Sequence, residues 1–320
     1  MLRVGMVGMG GISHSHTAGW AQVPDAKIVC VCDIRREKAD EAAAATGGKA
    51  WYDLDEMLDN ETIDILDICM PTYMHADVSV KALDRGIHVL TEKPISLKRE
   101  DVARVYAAAQ RNHKNFMVAQ VLRFWKEYIV LKDAIDTGRY GKLMSGVMSR
   151  LNKIPGWSWD NWMKDPERSG LVPFDVHIHD LDFMIYALGV PTDTRVYRAK
   201  NERGDYLNVI YEYPGFFITT EASWYDCPYK FQASFRFQFE KAVLEYKDGS
   251  MTIYHQSGEV ERLDDDADNS ASGLDLPKTN GYANEIMYFA DCVRQGKPCD
   301  IIKPEELETV LKIIEKINEH

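Results

Sequence analysis

Apolar residues follow two rhythms along this chain, and the change falls near residue 121. Before it, short β-type runs alternate with segments of helical period. Leu2 to Val7, Lys27 to Cys32, Ala50 to Tyr52, Ile63 to Met70, Ile87 to Leu90 and Phe116 to Val121 read as strands. Arg35 to Ala45, His75 to Asp84 and Leu97 to Asn112 read as helices, the first ended by Gly47-Gly48 and the second by Gly86. Strands separated by helices imply right-handed crossovers and a parallel sheet, which binds ligands at the C-terminal ends of its strands.

After Arg123, Phe124 to Asp136 predicts a helix ended by Gly138, Leu143 to Arg150 a strand, and Asp175 to Leu188 a helix closed by Gly189. Residues 194–262 then carry successive strand runs with no helix between them: Tyr206 to Tyr213, Phe216 to Trp224, Phe231 to Phe239 and Val243 to Tyr246. That pattern predicts antiparallel pairing. Phe231, Phe235, Phe237 and Phe239 share one set of alternating positions, and Tyr206, Tyr211 and Tyr213 add aromatic surface elsewhere. One face of this sheet is expected to cover its own helices and the other to bury against a second subunit. Leu263 to Asn280 reads as an exposed acidic loop, followed by helices over Tyr282 to Arg294 and Pro304 to Asn318. The expected class is α/β: a parallel sheet in 1–121, then an α+β domain in 122–320 with an open, largely antiparallel sheet.

The length of 320 residues suits two domains, and 45% hydrophobic residues suffice for two cores. Thirty-eight basic against 50 acidic residues give a net charge of −12, which argues against nucleic-acid or anionic-membrane partners. No apolar run is long enough to span a bilayer, and the N-terminus passes straight into a strand, so a soluble cytoplasmic protein is expected. Cysteines at 30, 32, 69, 227, 292 and 299 form no CxxC pair, which predicts reduced thiols and no metal knuckle.

The first strand breaks into Gly8-Met9-Gly10-Gly11-Ile12-Ser13. A turn of this kind, opening a helix, aims backbone N–H groups and the helix dipole at a phosphate. Gly8 suits the tight turn, Gly10 the approach of a pyrophosphate, and Ser13 close helix packing. The second strand stops at Asp33, where a carboxylate is expected to hold ribose hydroxyls; its charge favours NAD over NADP, although Arg35 and Arg36 keep NADP open. Asp33 also reads as a helix cap. Thr91-Glu92-Lys93-Pro94 ends the fifth strand at the ligand edge, where Lys93 faces the nicotinamide end of such a site. Pro71, Thr72 and His75 end the fourth strand at the same edge, either touching the ribose or capping the next helix.

In Asp175-Val-His177-Ile-His179-Asp180-Leu-Asp182, helical spacing places Asp175, His179 and Asp182 on one face and His177 away from it. A carboxylate one turn from an imidazole orients its ring and raises its basicity for proton transfer. Asp182 reads as a surface charge, and the splay of His177 from His179 argues against zinc. Trp157, Trp159 and Trp162 precede this helix; such faces stack on sugars or pack at interfaces.

Gly8-x-Gly10-Gly11-Ile12, His16, Asp33, Pro71-Thr72-x-x-His75, Glu92-Lys93-Pro94, Arg123-Phe124, Gly138-Arg-Tyr-Gly141 and Asp175-x-x-x-His179 occur in this order. The chain thereby resembles, over nearly its whole length, the glucose-fructose oxidoreductase and inositol dehydrogenase family (Gfo/Idh/MocA). The resemblance implies a Rossmann domain followed by an α/β domain that forms homodimers or homotetramers through its sheet. It implies NAD- or NADP-dependent hydride transfer at a sugar or polyol hydroxyl. By position, Lys93, Asp175 and His179 match the catalytic triad, and the Lys93–Pro94 bond resembles one that is often cis. The dinucleotide would contact Gly8, Met9, Gly10, Gly11, Ile12, Asp33, Ile34, Pro71, Thr72, His75, Glu92, Lys93 and Gln120. Arg123, Trp157 and Trp162 would join the triad around the substrate. Two alternatives stand beside this reading: a relative that keeps NAD bound and cleaves a glycoside, and a non-catalytic nucleotide sensor.

Overall fold

The computed structural model describes residues 1–263 and 280–320; most of the predicted acidic loop lies outside them. Two compact units emerge within these residues. The first holds Met1–Val121 and Gly281–Glu308, and the second holds Leu122 to residue 263 and Thr309–His320.

The first unit alternates as the sequence predicts. Its elements are β1 (Leu2–Val7), α1 (Gly11–Trp20), β2 (Ala26–Cys32), α2 (Arg36–Thr46), β3 (Lys49–Trp51), α3 (Leu54–Asn60), β4 (Ile65–Ile68), α4 (His75–Asp84), β5 (His88–Glu92), α5 (Glu100–Arg111) and β6 (Phe116–Ala119). All pairings are parallel, in the order β3-β2-β1-β4-β5-β6. Every residue of β4 and β6 is buried, as strands covered on both faces require. The order reverses between β1 and β4, which opens the ligand crevice of such sheets at the ends of those two strands. Gly8 sits there with φ +84°, and a Cβ on it would lie 2.7 Å from the Cys69 carbonyl, so only glycine fits.

The second unit begins with α6 (Lys126–Thr137), β7 (Leu143–Lys153), the short α7 (Pro166–Ser169) and α8 (Ile178–Leu188). Seven strands follow: β8 (Asp193–Asn201), β9 (Gly204–Tyr213), β10 (Phe216–Tyr225), β11 (Gln232–Phe239), β12 (Ala242–Lys247), β13 (Ser250–His255) and β14 (Val260–Leu263). They form one sheet with β7, in the order β14-β13-β12-β11-β7-β10-β9-β8. It is antiparallel apart from the central β7–β10 pair, which is parallel. Phe235, Phe237 and Phe239 are buried on the helix side, where Tyr128 of α6 sits 5.1 Å from Phe235 and 4.9 Å from Phe183 of α8, edge to face. Phe231 precedes β11, with the Arg150 guanidinium 6.0 Å from its ring. The opposite face mixes Glu221, Arg236 and Gln238 with exposed Val147, Tyr197, Phe217, Tyr254 and Val260.

Two C-terminal helices, α9 (Gly281–Gln295) and α10 (Pro304–Asn318), complete the described chain. α9 packs on α1 in the first unit, and Gly19 makes room for it: a Cβ there would stand 2.6 Å from Ile286 Cδ1. Among the described residues, no helix is long and apolar enough to cross a membrane.

Candidate functional site

In the first unit the chemistry gathers at the C-terminal strand ends. Gly10 caps α1, and nothing lies within 4 Å of where its Cβ would be, so the approach to the helix N-terminus is open. Asp33 lies beside this turn, accepting from the Met9 N–H at 2.8 Å. It also accepts from the Arg35 backbone N–H at 2.8 Å and from the Arg35 guanidinium at 2.9 and 3.0 Å. Ile34 next to it is exposed. Gln120, just past β6, is buried with its Nε2 lacking any partner. An open glycine turn at a helix start, an acid beside it and an orphaned buried amide at the same sheet edge fit a dinucleotide.

Lys93 follows β5 and is half-buried, and the Lys93–Pro94 bond is cis. Its backbone N–H donates to Glu92 Oε2 at 3.0 Å. Pro71 and Thr72 end the β4 side as expected, but His75 has another task. Its ring is 1% exposed and lies 2.7 Å from both the Pro94 and Met70 carbonyls, so it ties the two strand ends together from below. The expected ribose contact from His75 is therefore corrected to an internal strut.

The second unit carries the Asp-His segment in an unexpected form. Pro173–His177 is a π-turn, and α8 begins only at Ile178. A π-turn hydrogen-bonds i to i+5, so 3.6-residue periodicity does not carry across it. Asp175 and His179 remain half-exposed, whereas Asp182, three residues beyond His179 in α8, is 1% exposed. The expectation of a surface charge at Asp182 is thus overturned. Arg123 Nε and Nη2 grip it at 2.8 and 2.7 Å, with the guanidinium over Tyr186, and Arg123 is itself 2% exposed. Arg123, expected beside a substrate, therefore braces the unit internally through Asp182. A second buried pair joins Arg150 of β7 to Asp180 at 2.8 Å. Trp157 and Trp159 are exposed and Trp162 half-buried, in the loop before α7.

His177 is fully buried and stands 2.6 Å from the Tyr211 hydroxyl. Burial, then the Arg150 charge, pushes it down to about 3. Below its ordinary value the unfolded chain takes a proton that the fold refuses, so stability falls as pH drops from 6.5 towards 3. His177→Gln, which keeps a partner for Tyr211, is expected to flatten urea-denaturation stability against pH by about 1.4 kcal/mol per unit between pH 6 and 4. An unchanged slope would contradict a neutral buried ring.

Asp67, Glu285 and Trp20 belong to none of the sequence motifs, and His16 only accompanies one. In the first unit the His16 ring lies between Asp67 and Glu92, with Trp20 Nε1–H donating to Asp67 at 2.7 Å. An available signal was Asp67 itself, a charge inside the otherwise apolar run Ile65–Ile68. Donor atoms of His16, Asp67 and Cys69 come within 4.8 Å of one another. Both ring nitrogens are nevertheless engaged by carboxylates, which leaves no lone pair for a metal.

The parallel 3-2-1-4-5-6 sheet with its glycine turn and strand-end acid defines a Rossmann-type dinucleotide-binding protein. Family models match twice: the Gfo/Idh/MocA oxidoreductase family, NAD-binding Rossmann fold, over residues 2–120, and the GFO/IDH/MocA C-terminal domain over 128–245. The chain belongs to the Gfo/Idh/MocA oxidoreductase family. It is 29% identical over 193 residues to inositol 2-dehydrogenase of Salmonella typhimurium, covering 58% of this chain and 54% of that one. It is 31% identical over 196 residues to scyllo-inositol 2-dehydrogenase (NAD(+)) of Bacillus subtilis, covering 59% and 54%. The chain thus spans about half the length of the curated relatives it matches. A solved levoglucosan dehydrogenase, in complex with NADH and levoglucosan, superposes with TM-score 0.82 at 18% identity, over 99% of this chain and 96% of the other.

Proposed function

We propose that this protein is an NAD(P)-dependent dehydrogenase acting on a secondary hydroxyl of a sugar or cyclitol. The observation that carries it is Lys93 at the carboxyl end of β5, on the same sheet edge as the open Gly8–Ile12 turn and braced by buried Glu92. The relatives named as inositol dehydrogenases supply the substrate class. Residues Gly8 to Ile12, Asp33, Ile34 and Gln120 hold the dinucleotide, which supplies a hydride acceptor when bound. Lys93 hydrogen-bonds the reacting oxygen and stabilises its developing negative charge. His179, or Lys93 through a shared hydrogen bond, takes the hydroxyl proton, and Asp175 orients the imidazole. Trp157 and Trp162 offer ring faces to the sugar.

NAD is the preferred cofactor in this reading, because Asp33 repels a 2′-phosphate and accepts ribose hydroxyls. Arg35, paired with Asp33, is the group that swings to a phosphate when the acid is removed. The test is a panel of sugars and polyols, myo-inositol and methyl glucosides included, assayed with NAD and NADP by absorbance at 340 nm. Wild type is expected to favour NAD, and Asp33→Ser to lose about tenfold or more of that preference. A preference for NADP in wild type would refute the cofactor assignment, and no turnover with any polyol the activity. Release of free sugar from a glycoside without net absorbance change would replace the activity with glycoside cleavage.

The exposed Val147, Phe217 and Tyr254 face is the surface through which we expect homodimers or homotetramers, which light scattering tests. A cytoplasmic location is consistent with six cysteines that are all free thiols.

A further inference from the structure

Beneath Lys93 lies a chain of buried polar groups that the proposed reaction does not touch. His16 of α1 is fully buried, with Nδ1 2.9 Å from Asp67 Oδ2 and Nε2 3.0 Å from Glu92 Oε1. An ionised carboxylate only accepts, so both ring nitrogens donate and the ring is an imidazolium. Burial alone would strip that charge; the charge and hydrogen bonds of Asp67 outweigh it and hold His16 well above an ordinary histidine. Glu92, its own burial opposed by His16 and then by the Lys93 charge, is held below the usual carboxylate range. Its second oxygen accepts the Lys93 amide.

The remaining neighbours are uncharged. Glu285 of α9 is fully buried with no partner for either carboxyl oxygen. Burial, reinforced by Glu92 and Asp67, raises it far above an ordinary glutamate, so it stays a neutral acid. Cys69, 3.8 Å from Asp67, is pushed up to about 12 by burial and stays a thiol. Tyr282 of α9 sets its ring 6.1 Å from His16. Glu92 and the strut His75 are two of the titratable groups beside Lys93. Within the first unit the His16 ring is thus set between the carboxyl groups of Asp67 and Glu92.

The geometry points to His16 as a positioning residue for Lys93: its charge, clamped between Asp67 and Glu92, fixes Glu92 against the Lys93 amide and offsets one of the two carboxylates under the lysine. Without that charge Lys93 faces an additional unit of negative potential; without Glu92 it faces one unit less. The relevance to catalysis rests on the assignment of Lys93 to the reaction.

Competitive acetylation of the intact chain with acetic anhydride across pH, read by mass spectrometry on the Lys93 peptide, gives the midpoint at which Lys93 becomes reactive. His16→Gln is expected to move that midpoint up by about one pH unit, Glu92→Gln to move it down by about as much, and Glu285→Gln to leave it in place. A merely structural role moves all three together or none, and midpoints of His16→Gln and Glu92→Gln that match wild type overturn the proposal. Should either variant fail to fold, ¹⁵N spectra of the wild-type histidines decide: both His16 nitrogens are expected to carry protons at neutral pH, and a neutral ring there overturns it. Turnover of Lys93→Ala judges the dehydrogenase reading separately, since its activity bears on Lys93 as a reacting group and not on what sets its charge.

Discussion

Lys93→Ala is expected to lower turnover about a thousandfold while leaving the dissociation constant for NAD within about tenfold of wild type. The backbone around Lys93 is fixed independently of its side chain: Glu92 holds the amide and His75 holds the Pro94 carbonyl. Truncation therefore removes an ammonium without moving the sheet edge that carries the glycine turn. What is lost is a donor aimed at a charge that develops only during reaction, so the effect falls on kcat and not on nucleotide binding. Steady-state kinetics on the best polyol of the panel, with calorimetric titration of NAD, separate the two. Asp175→Asn and His179→Asn are expected to be similarly impaired, and combining them with Lys93→Ala to add little, since groups acting on one proton are not additive. Turnover of Lys93→Ala within tenfold of wild type would remove the lysine from the chemistry.

The second large effect is on stability. Arg123→Ala strips Asp182 of a guanidinium inside the second unit, where both side chains are at most 1% exposed. Removing that partner from a buried carboxylate costs about 3–5 kcal/mol, which urea denaturation of the variant should register. Replacing both partners, Arg123→Met with Asp182→Leu, removes the charge as well as its counter-ion and is expected to recover most of the loss. A single variant within about 1 kcal/mol of wild type would mean that the pair behaves as a surface bridge.

Where local pattern decides structure, the sequence was readable. His75–Asp84 and Leu2–Val7 fall where periodicity puts them, because each is bounded by a turn residue or a switch of rhythm. α3 escaped notice despite an Asp53 cap accepting from the Glu56 N–H, because seven residues, three of them acidic and only Met57 and Leu58 buried, make a faint helical stripe. The π-turn also escaped, since an extra residue per turn leaves no mark in composition, and so did the burial of Asp182, whose partner Arg123 lies 59 residues away in sequence. Likewise β7 and β10 pair in parallel although most of the strands between them are joined by hairpins. The glycine turn, Asp33 and Lys93 were legible as motifs. His16, Asp67, Glu92 and Glu285 were not legible as a group: four positions spread from 16 to 285 become neighbours only when β4, β5, α1 and α9 come together.

Because α9 belongs with α1, the nucleotide-binding unit is not contiguous in the gene. During synthesis the surface around Gly19 emerges early, yet the helix that covers it leaves the ribosome only after every strand of the large sheet. The N-terminal unit must therefore wait, uncovered, through the translation of the second one. A nascent or truncated chain ending before Gly281 carries that bare patch and is the form that holdase chaperones and proteases are best placed to capture.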